Sequence, residues 1–476
     1  MTMRLPIRHV QSNLIFTTHG TVWAVWRVAA TNYSHAPAAV KKRRLKALEG
    51  LFKAMTGEPM LMSLCPQIDP TAVVRAMVDD IDLARAPRYE SLGHAVLDQL
   101  EDTELTGRTD WLALPLPPLS KKDGMLSAFR AARAEVSLQL GLMPAVVSDA
   151  EVRRRLEEAQ WIQAQWLTGV SMRLASEAEI LWIYGHSARR GLAEPFLPDG
   201  TETPVRGRGR NTAALGEILV GEGGADFNTG AALPANPFTG CFLQVSSEWG
   251  DSYQTLLALS EKPEAFALPG AAYLQQLDDL AYPVDWTARL VIVPGAKAEP
   301  KVRKRARHLK AQAAEYEGDP AGPPAAVARN QEYHERLTAH RREVEIRAMV
   351  TLAVWGQSPD DAMDRAAALA SDFGSTDYTF SRPAGEQASL WQAMLPGCRT
   401  LRVMAGYAQI LLARDFAMAM PWCGSQLGDE RGGLYGLQVA SGGARPVLID
   451  PARGPARTRA PPWPGSASSA PASRSA

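Results

Sequence analysis

Along most of its length this sequence alternates between two kinds of apolar spacing. Short unbroken runs of strand length, Met60-Leu61-Met62-Ser63-Leu64 and Trp111-Leu112-Ala113-Leu114-Pro115, punctuate stretches whose apolar residues recur every three or four positions. In 37–55, Val40, Leu45, Leu48, Leu51 and Phe52 keep helical spacing, with Lys41, Lys42, Arg43 and Arg44 opposite. An interleaving of this kind predicts an α/β (α+β) fold rather than a bundle or an all-β sandwich.

Turn and cap residues divide the chain further. Asn13-Leu14-Ile15-Phe16 and Val22-Trp23-Ala24-Val25-Trp26-Arg27-Val28 flank a turn at Thr18-His19-Gly20 and predict a hairpin. Asp69-Pro70 marks a helix start. A helix over 89–100 leads to the Trp111 strand, and the first segment, 1–148, is expected to be an α/β subdomain. The second, 149–296, opens with a helix over 149–167. Strands are predicted at 178–184, 242–246, 254–258 and 286–293, with 198–236 a Gly/Pro-rich loop insertion. The third, 297–450, begins with charged helices over 299–316 and 324–346, joined by Gly318-Asp319-Pro320-Ala321-Gly322-Pro323 into a helical hairpin. A strand at 347–355, a helix at 359–373, a strand at 377–380, helices at 387–394 and 406–418, and a hairpin from 434–439 and 446–449 complete it. The tail 451–476 is nearly all Pro, Ala, Arg, Ser and Gly and is expected to be disordered, since it offers too little apolar surface to offset ordering.

Charge and cysteine usage narrow the function classes. Lys+Arg and Asp+Glu both number 51, so no global field draws the chain to polyanions and any such contact must be local. Cys65, Cys241, Cys398 and Cys423 form no CxxC pair, which argues against a zinc site or disulfide framework and for a reducing cytoplasm. His334 and His340, six apart on one helix, are read as solvated. No signal peptide and no run of about 20 apolar residues is visible, so work at a membrane would require a partner to hold the chain there.

A phosphate cradle needs a glycine-rich turn followed by a Lys and a Ser/Thr. No Gly-Lys dipeptide occurs, and Lys310 is the last lysine. Gly207-Arg208-Gly209 and Gly221-Glu222-Gly223-Gly224 lack a strand-to-helix context and read as loops; Gly424 to Gly428 and Gly432-Gly433 read as turns. No Gly-x-Ser-x-Gly elbow is present, and Asp360, Asp361 and Asp364 suit a helix's first turn. Trp161 and Trp166 are expected in the core, and Arg153-Arg154-Arg155 to pair with Glu157 and Glu158 on an exposed helix face. Lys301, Arg303, Lys304, Arg305, Arg307 and Lys310 form a basic run that could contact nucleic acid or anionic headgroups, although the acids downstream favour a solvated helical hairpin. No catalytic, metal or cofactor residue is assigned.

Read in order, several segments resemble the amino-terminal region of conjugative (type IV secretion) ATPases of the CagE/TrbE/VirB kind, also called TraC-like, particularly the actinobacterial type. They are the first hairpin, Tyr282-Pro283-Val284-Asp285-Trp286, Met394-Leu395-Pro396-Gly397, Met420-Pro421-Trp422, and Gly433-Leu434-Tyr435-Gly436 through Pro446-Val447-Leu448-Ile449-Asp450-Pro451. The likeness covers roughly residues 10–455. It implies a non-catalytic assembly and docking region, peripheral at the inner face of the cell membrane. The implied partners are inner-membrane secretion components and further copies of the chain in a hexamer. The intact family binds ATP and Mg and couples hydrolysis to transfer or pilus assembly through a RecA-like P-loop motor, which would follow Asp450-Pro451. In its place stands the odd tail, whose Ser466–Arg474 stretch, back-translated with GC-leaning codons of our choosing and shifted in frame, can read Gly-Glu-Leu-Gly-Ser-Gly-Lys-Ser. The expectation is an out-of-frame tail and a chain cut before its P-loop; codons at Ser468 or Ala470 that break the shifted motif would end that idea. Two readings of other classes stand beside it: a nucleic-acid-binding module using the basic run, and an enzyme of unrecognised type.

Overall fold

The computed structural model describes residues 5–451 apart from 80, 119–123, 126–127, 130, 134–146, 167–168, 193, 195, 199–231, 235–239, 248–249, 265, 267, 269–270, 316–322 and 440–442. Its strands are β1 Ile7–Gln11, β2 Leu14–Thr17, β3 Val22–Val28, β4 Thr31–Asn32, β5 Met60–Leu64, β6 Thr109–Leu116, β7 Met172–Leu174 and β8 Ala232–Pro234. They continue as β9 Leu243–Ser247, β10 Gly250–Glu261, β11 Asp285–Pro294, β12 Val344–Gly356, β13 Thr379–Ser381, β14 Gln409–Leu412, β15 Cys423–Gly424, β16 Gly433–Gln438 and β17 Arg445–Ile449. The mixed α/β class expected from the sequence is the one observed.

Among the described residues, 13 strands form one sheet in the order β1-β2-β3-β6-β5-β11-β12-β10-β9-β8, with β7, β13 and β14 pairing β3, β10 and β12. Every pairing in it is antiparallel. Strands from 1–148, 149–296 and 297–450 therefore share one hydrogen-bonded ladder.

The unbroken apolar runs are explained by layers on both faces. In β3, Val22, Ala24, Trp26 and Val28 join one core, while Trp23 and Val25 join the other; β5 and β6 divide in the same way, as a side-chain period of two requires. Helices Ala38–Ala54, Asp149–Ala164, Pro359–Gly374 and Ala413–Met418 cover the first face through Leu48, Phe52, Ala159, Leu369 and Phe416. Helices Glu177–Arg189, Gln387–Ala393 and Arg402–Gly406 cover the second through Ile180, Tyr184, Leu390, Trp391 and Val403. A strand buried on both sides loses the polar half of its alternation.

Local signals placed several elements as expected. Asp69 caps Pro70–Val78 by accepting from the Thr71 amide at 2.8 Å, and Gly20 takes the positive φ (88°) that the first hairpin turn needs. Helix Gly295–Glu315 lies against helix Pro323–Thr338 as the expected charged hairpin.

Other expectations are corrected. The segment 178–184 is not a strand but the middle of helix Glu177–Arg189, started by a capping box between Ser176 and Glu179. Ile180, Trp182, Ile183 and Tyr184 are all buried, so its apolar residues show no helical stripe and read as a strand run. The second charged helix ends at Thr338, not 346, because Val344 to Ile346 pair with β11. The predicted helix 406–418 is split, since Gln409–Leu412 pairs with β12 and only Ala413–Met418 is helical. Trp166 is in the core, but Trp161 is 66% exposed. Arg155 is buried, donating to the Pro117 carbonyl and Glu158, rather than lying on an exposed face. His334 is half-buried against Glu299 rather than solvated. Most of the insertion 198–236, including both early glycine clusters, and the tail beyond residue 451 lie outside the described residues.

Gly191, just past helix Glu177–Arg189, has φ +78°, and a Cβ there would lie 2.6 Å from Ser252 Oγ and 2.7 Å from Trp355 Cδ1. Gly191→Ala combines a left-handed backbone with overpacking and should destabilise the fold by about 2–4 kcal/mol. An unchanged urea midpoint would refute this.

Candidate functional site

The basic run sits where the sequence placed it, on the first helix of the charged hairpin. Lys301, Arg303, Lys304, Arg305, Arg307 and Lys310 are all exposed, while Ala298 and Val302 are buried against Leu337 and Leu412. The structure does not bring the six together on one face: a helix turns about 100° per residue, so the buried stripe separates Lys301, Lys304 and Arg305 from Arg303, Arg307 and Lys310. Arg303 is paired with Glu299 at 2.5 Å, and both are partly solvated, so this contact contributes little to stability. The second helix is fastened to the body by Arg336–Asp415, Arg329–Glu264 and the Tyr333 hydroxyl donating to Glu345 at 3.2 Å.

A second constellation was not legible in the sequence. Asp278, in the 3-10 turn Leu277–Asp279, is buried and accepts from three directions. Arg108 Nε donates to Oδ1 at 2.5 Å, Arg445 donates to both oxygens at 2.6 and 3.0 Å, and the Ser425 amide donates to Oδ2 at 2.7 Å. Burial pushes the Asp278 carboxyl up, but Arg108 and Arg445 outweigh it and hold it at about 2. Arg108 continues to Ser63 Oγ at 3.0 Å, and Ser63 donates to Asp110 at 2.6 Å. Burial raises the Asp110 carboxyl to about 6, against the opposing hydrogen bond from Ser63.

Arg445 belongs to β17, so Asp278 clamps the final β16–β17 hairpin to the body. Leu434, Leu437 and Leu448 add an apolar contact to Val73, Met77 and Leu100 on helices Pro70–Val78 and Pro87–Glu101. The hairpin keeps other apolar groups outside: Tyr435 is 81% exposed, Val439 70% and Ile449 41%.

A third cluster links helix Glu177–Arg189 to β11. His186 Nε2 meets Asp285 Oδ2 at 2.8 Å and its Nδ1 meets Glu194. Arg190 Nε donates to the same Asp285 oxygen at 2.5 Å, and the Cys65 amide donates to Oδ1 at 2.8 Å. Both ring nitrogens face carboxylate acceptors, so both must carry protons. Burial lowers the imidazole's affinity for its proton, but Glu194 and Asp285 outweigh that and raise the group to about 9. Asp285 lies within the Tyr282–Trp286 segment noted in the sequence, but nothing local to it announced His186 or Arg190. All three side chains are at most 1% exposed, so the cluster has no face for a substrate and acts as a rivet between layers.

Among the described residues, no group of three or more His, Cys, Asp and Glu could hold a metal ion, and no helix is long and apolar enough to cross a membrane. No known family model matches the chain, and no curated protein matches it.

Proposed function

We propose that this chain is a non-catalytic docking and assembly region of a conjugal-transfer (type IV secretion) ATP-binding protein. In this reading it is held peripherally at the inner face of the membrane by inner-membrane secretion components and supports oligomer assembly, while ATP and Mg are bound by a motor outside these 476 residues. The sequence holds no Gly-Lys pair, so it offers no backbone cradle with an adjacent ammonium for a triphosphate.

The observation that supports the reading best is the last hairpin. It is rigidly fastened by a buried carboxylate and two guanidiniums, yet it presents Tyr435, Val439 and Ile449 to solvent. Exposed apolar groups gathered on a well-anchored element suit a docked partner, and in this reading the partner is the motor domain. A P-loop motor domain of this ATPase family, supplied as a separate polypeptide, should co-elute with the chain. Tyr435→Ser with Val439→Ser should weaken that association at least tenfold without lowering the unfolding midpoint. ATP turnover by the purified chain alone, or failure of both the motor and the inner-membrane components to bind, would overturn the proposal.

A further inference from the structure

The charged hairpin carries a feature that the docking reading leaves unused. On helix Gly295–Glu315, the residues turned inward are Ala298 and Val302, then the half-buried Ala306 and Leu309, one stripe at helical spacing. Lys297, Lys301, Lys304 and His308 follow one another at steps of four, three and four along one flank of that stripe, with Arg305 beside them. They form a line about 16 Å long at 1.5 Å per residue. All five are exposed, and among the described residues none has a carboxylate ion-pair partner. Glu299 lies on the opposite flank, engaged by Arg303 at 2.5 Å and facing His334 at 3.6 Å.

The lysines of this row and Arg305 repel one another, and a partner of opposite charge would relieve that repulsion. We infer that this row is a contact surface for the phosphate backbone of nucleic acid. Successive cations stand about 4.5–6 Å apart along the helix axis, which lets each meet a separate phosphate of a polyanion. A lipid surface fits less well, because neither helix exposes a large apolar side chain among the described residues, and the apolar stripe is occupied by the partner helix and Leu412. The basic helix also has no Trp, Tyr or Phe on which an unpaired base could stack. Contact through phosphates alone makes the binding indifferent to sequence, with no preference for single strands over duplex.

This inference does not depend on the docking reading. Fluorescence anisotropy of a labelled 25-base-pair DNA duplex, titrated with the full chain at 50–200 mM KCl, tests it. Neutralising about four phosphates gives a log–log salt slope near −3.6, so affinity should fall roughly 150-fold over that range. The variant K297A/K301A/K304A/R305A should lose binding and most of the slope while its thermal unfolding is unchanged, since these side chains are exposed. The opposite-flank variant R303A/R307A/K310A should keep more than half of the slope. Equal losses from both variants would overturn the assignment of the row. So would duplex affinity that is insensitive to salt, or binding to vesicles containing 30% phosphatidylserine with none to DNA.

Discussion

Replacing Asp278 by alanine should cost about 3–5 kcal/mol and release the final hairpin first. The side chains of Arg108 and Arg445 are 6% and 4% exposed, and removing their shared carboxylate leaves two buried guanidiniums without their direct ion-pair partner, Arg108 keeping only Asp110 beyond Ser63. The cost is that of stranded charge more than of lost attraction. The effect should be spatially graded, because once Arg445 is freed β16–β17 keeps only edge contacts, the leucines Leu434, Leu437 and Leu448 and a few hydrogen bonds such as the Thr106 amide to the Ala444 carbonyl at 3.0 Å. Hydrogen exchange in β16 and β17 should therefore accelerate well before that in β11 or β12, whose ladder is central and buried. A triple replacement, Asp278→Leu with Arg108→Met and Arg445→Met, should recover part of the loss, leaving Asp110, whose carboxyl burial already raises to about 6, as the buried acid of the site. The same pair fixes an acid limb: with its carboxyl held at about 2, Asp278 contributes stability that is complete above pH 3.8 and is lost as pH falls through about 2. Uniform exchange across the molecule in Asp278→Ala, or a midpoint shift worth less than about 1 kcal/mol, would show that the clamp does not hold the hairpin.

The second large effect lies at Asp285. Asp285→Ala takes from Arg190 the carboxylate its Nε donates to, leaves the His186 imidazolium with Glu194, and also strips the Cys65 amide of its acceptor. A loss of about 3–5 kcal/mol follows from breaking a buried pair. His186 adds a pH signature of definite sign. Its folded-state affinity for a proton is raised from 6.5 to about 9, so its contribution is complete below pH 6.5 and is lost as pH rises through 9. Deprotonation would turn one ring nitrogen into an acceptor facing a carboxylate. Urea midpoints of the parent chain should fall between pH 6 and pH 9.5, and that fall should be largely absent in His186→Gln. A parent whose midpoint is flat across this window would mean that the imidazole is neutral in the fold.

These two clusters also mark where the sequence stops being informative. The basic run was legible because its meaning is local: seven cations crowded into one helix leave little else to expect than an exposed surface. Even there, helical phase was needed to see that the residues fall into two rows. Asp278, by contrast, is 170 residues from Arg108 and 167 from Arg445, and His186 is 99 from Asp285. An isolated Asp or His among polar neighbours looks solvated until distant strands bring its partners in. The misread segment 178–184 failed for a related reason, since a helix buried on every side has no polar face to reveal its period. Trp161 and Arg155 exchanged their expected places because the helix Asp149–Ala164 turns Arg155, but not the exposed Arg153 and Arg154, toward the Pro117 carbonyl, which spacing alone cannot foretell.

By itself the sequence determined the class and most of the secondary elements, because strand runs, caps and breakers act through the backbone of a few neighbouring residues. It also determined the charge along the hairpin helix and the absence of a Gly-Lys phosphate cradle. The tertiary structure alone decided that strands from the whole chain share one antiparallel sheet, which acids and bases meet in its layers, and which apolar groups of the last hairpin stay outside. Those outcomes depend on contacts between distant residues, such as Arg190 and Asp285, 95 positions apart, and Arg108 and Asp278, 170 apart, in the two buried clusters. Their energies arise from burial and charge pairing that no local window contains.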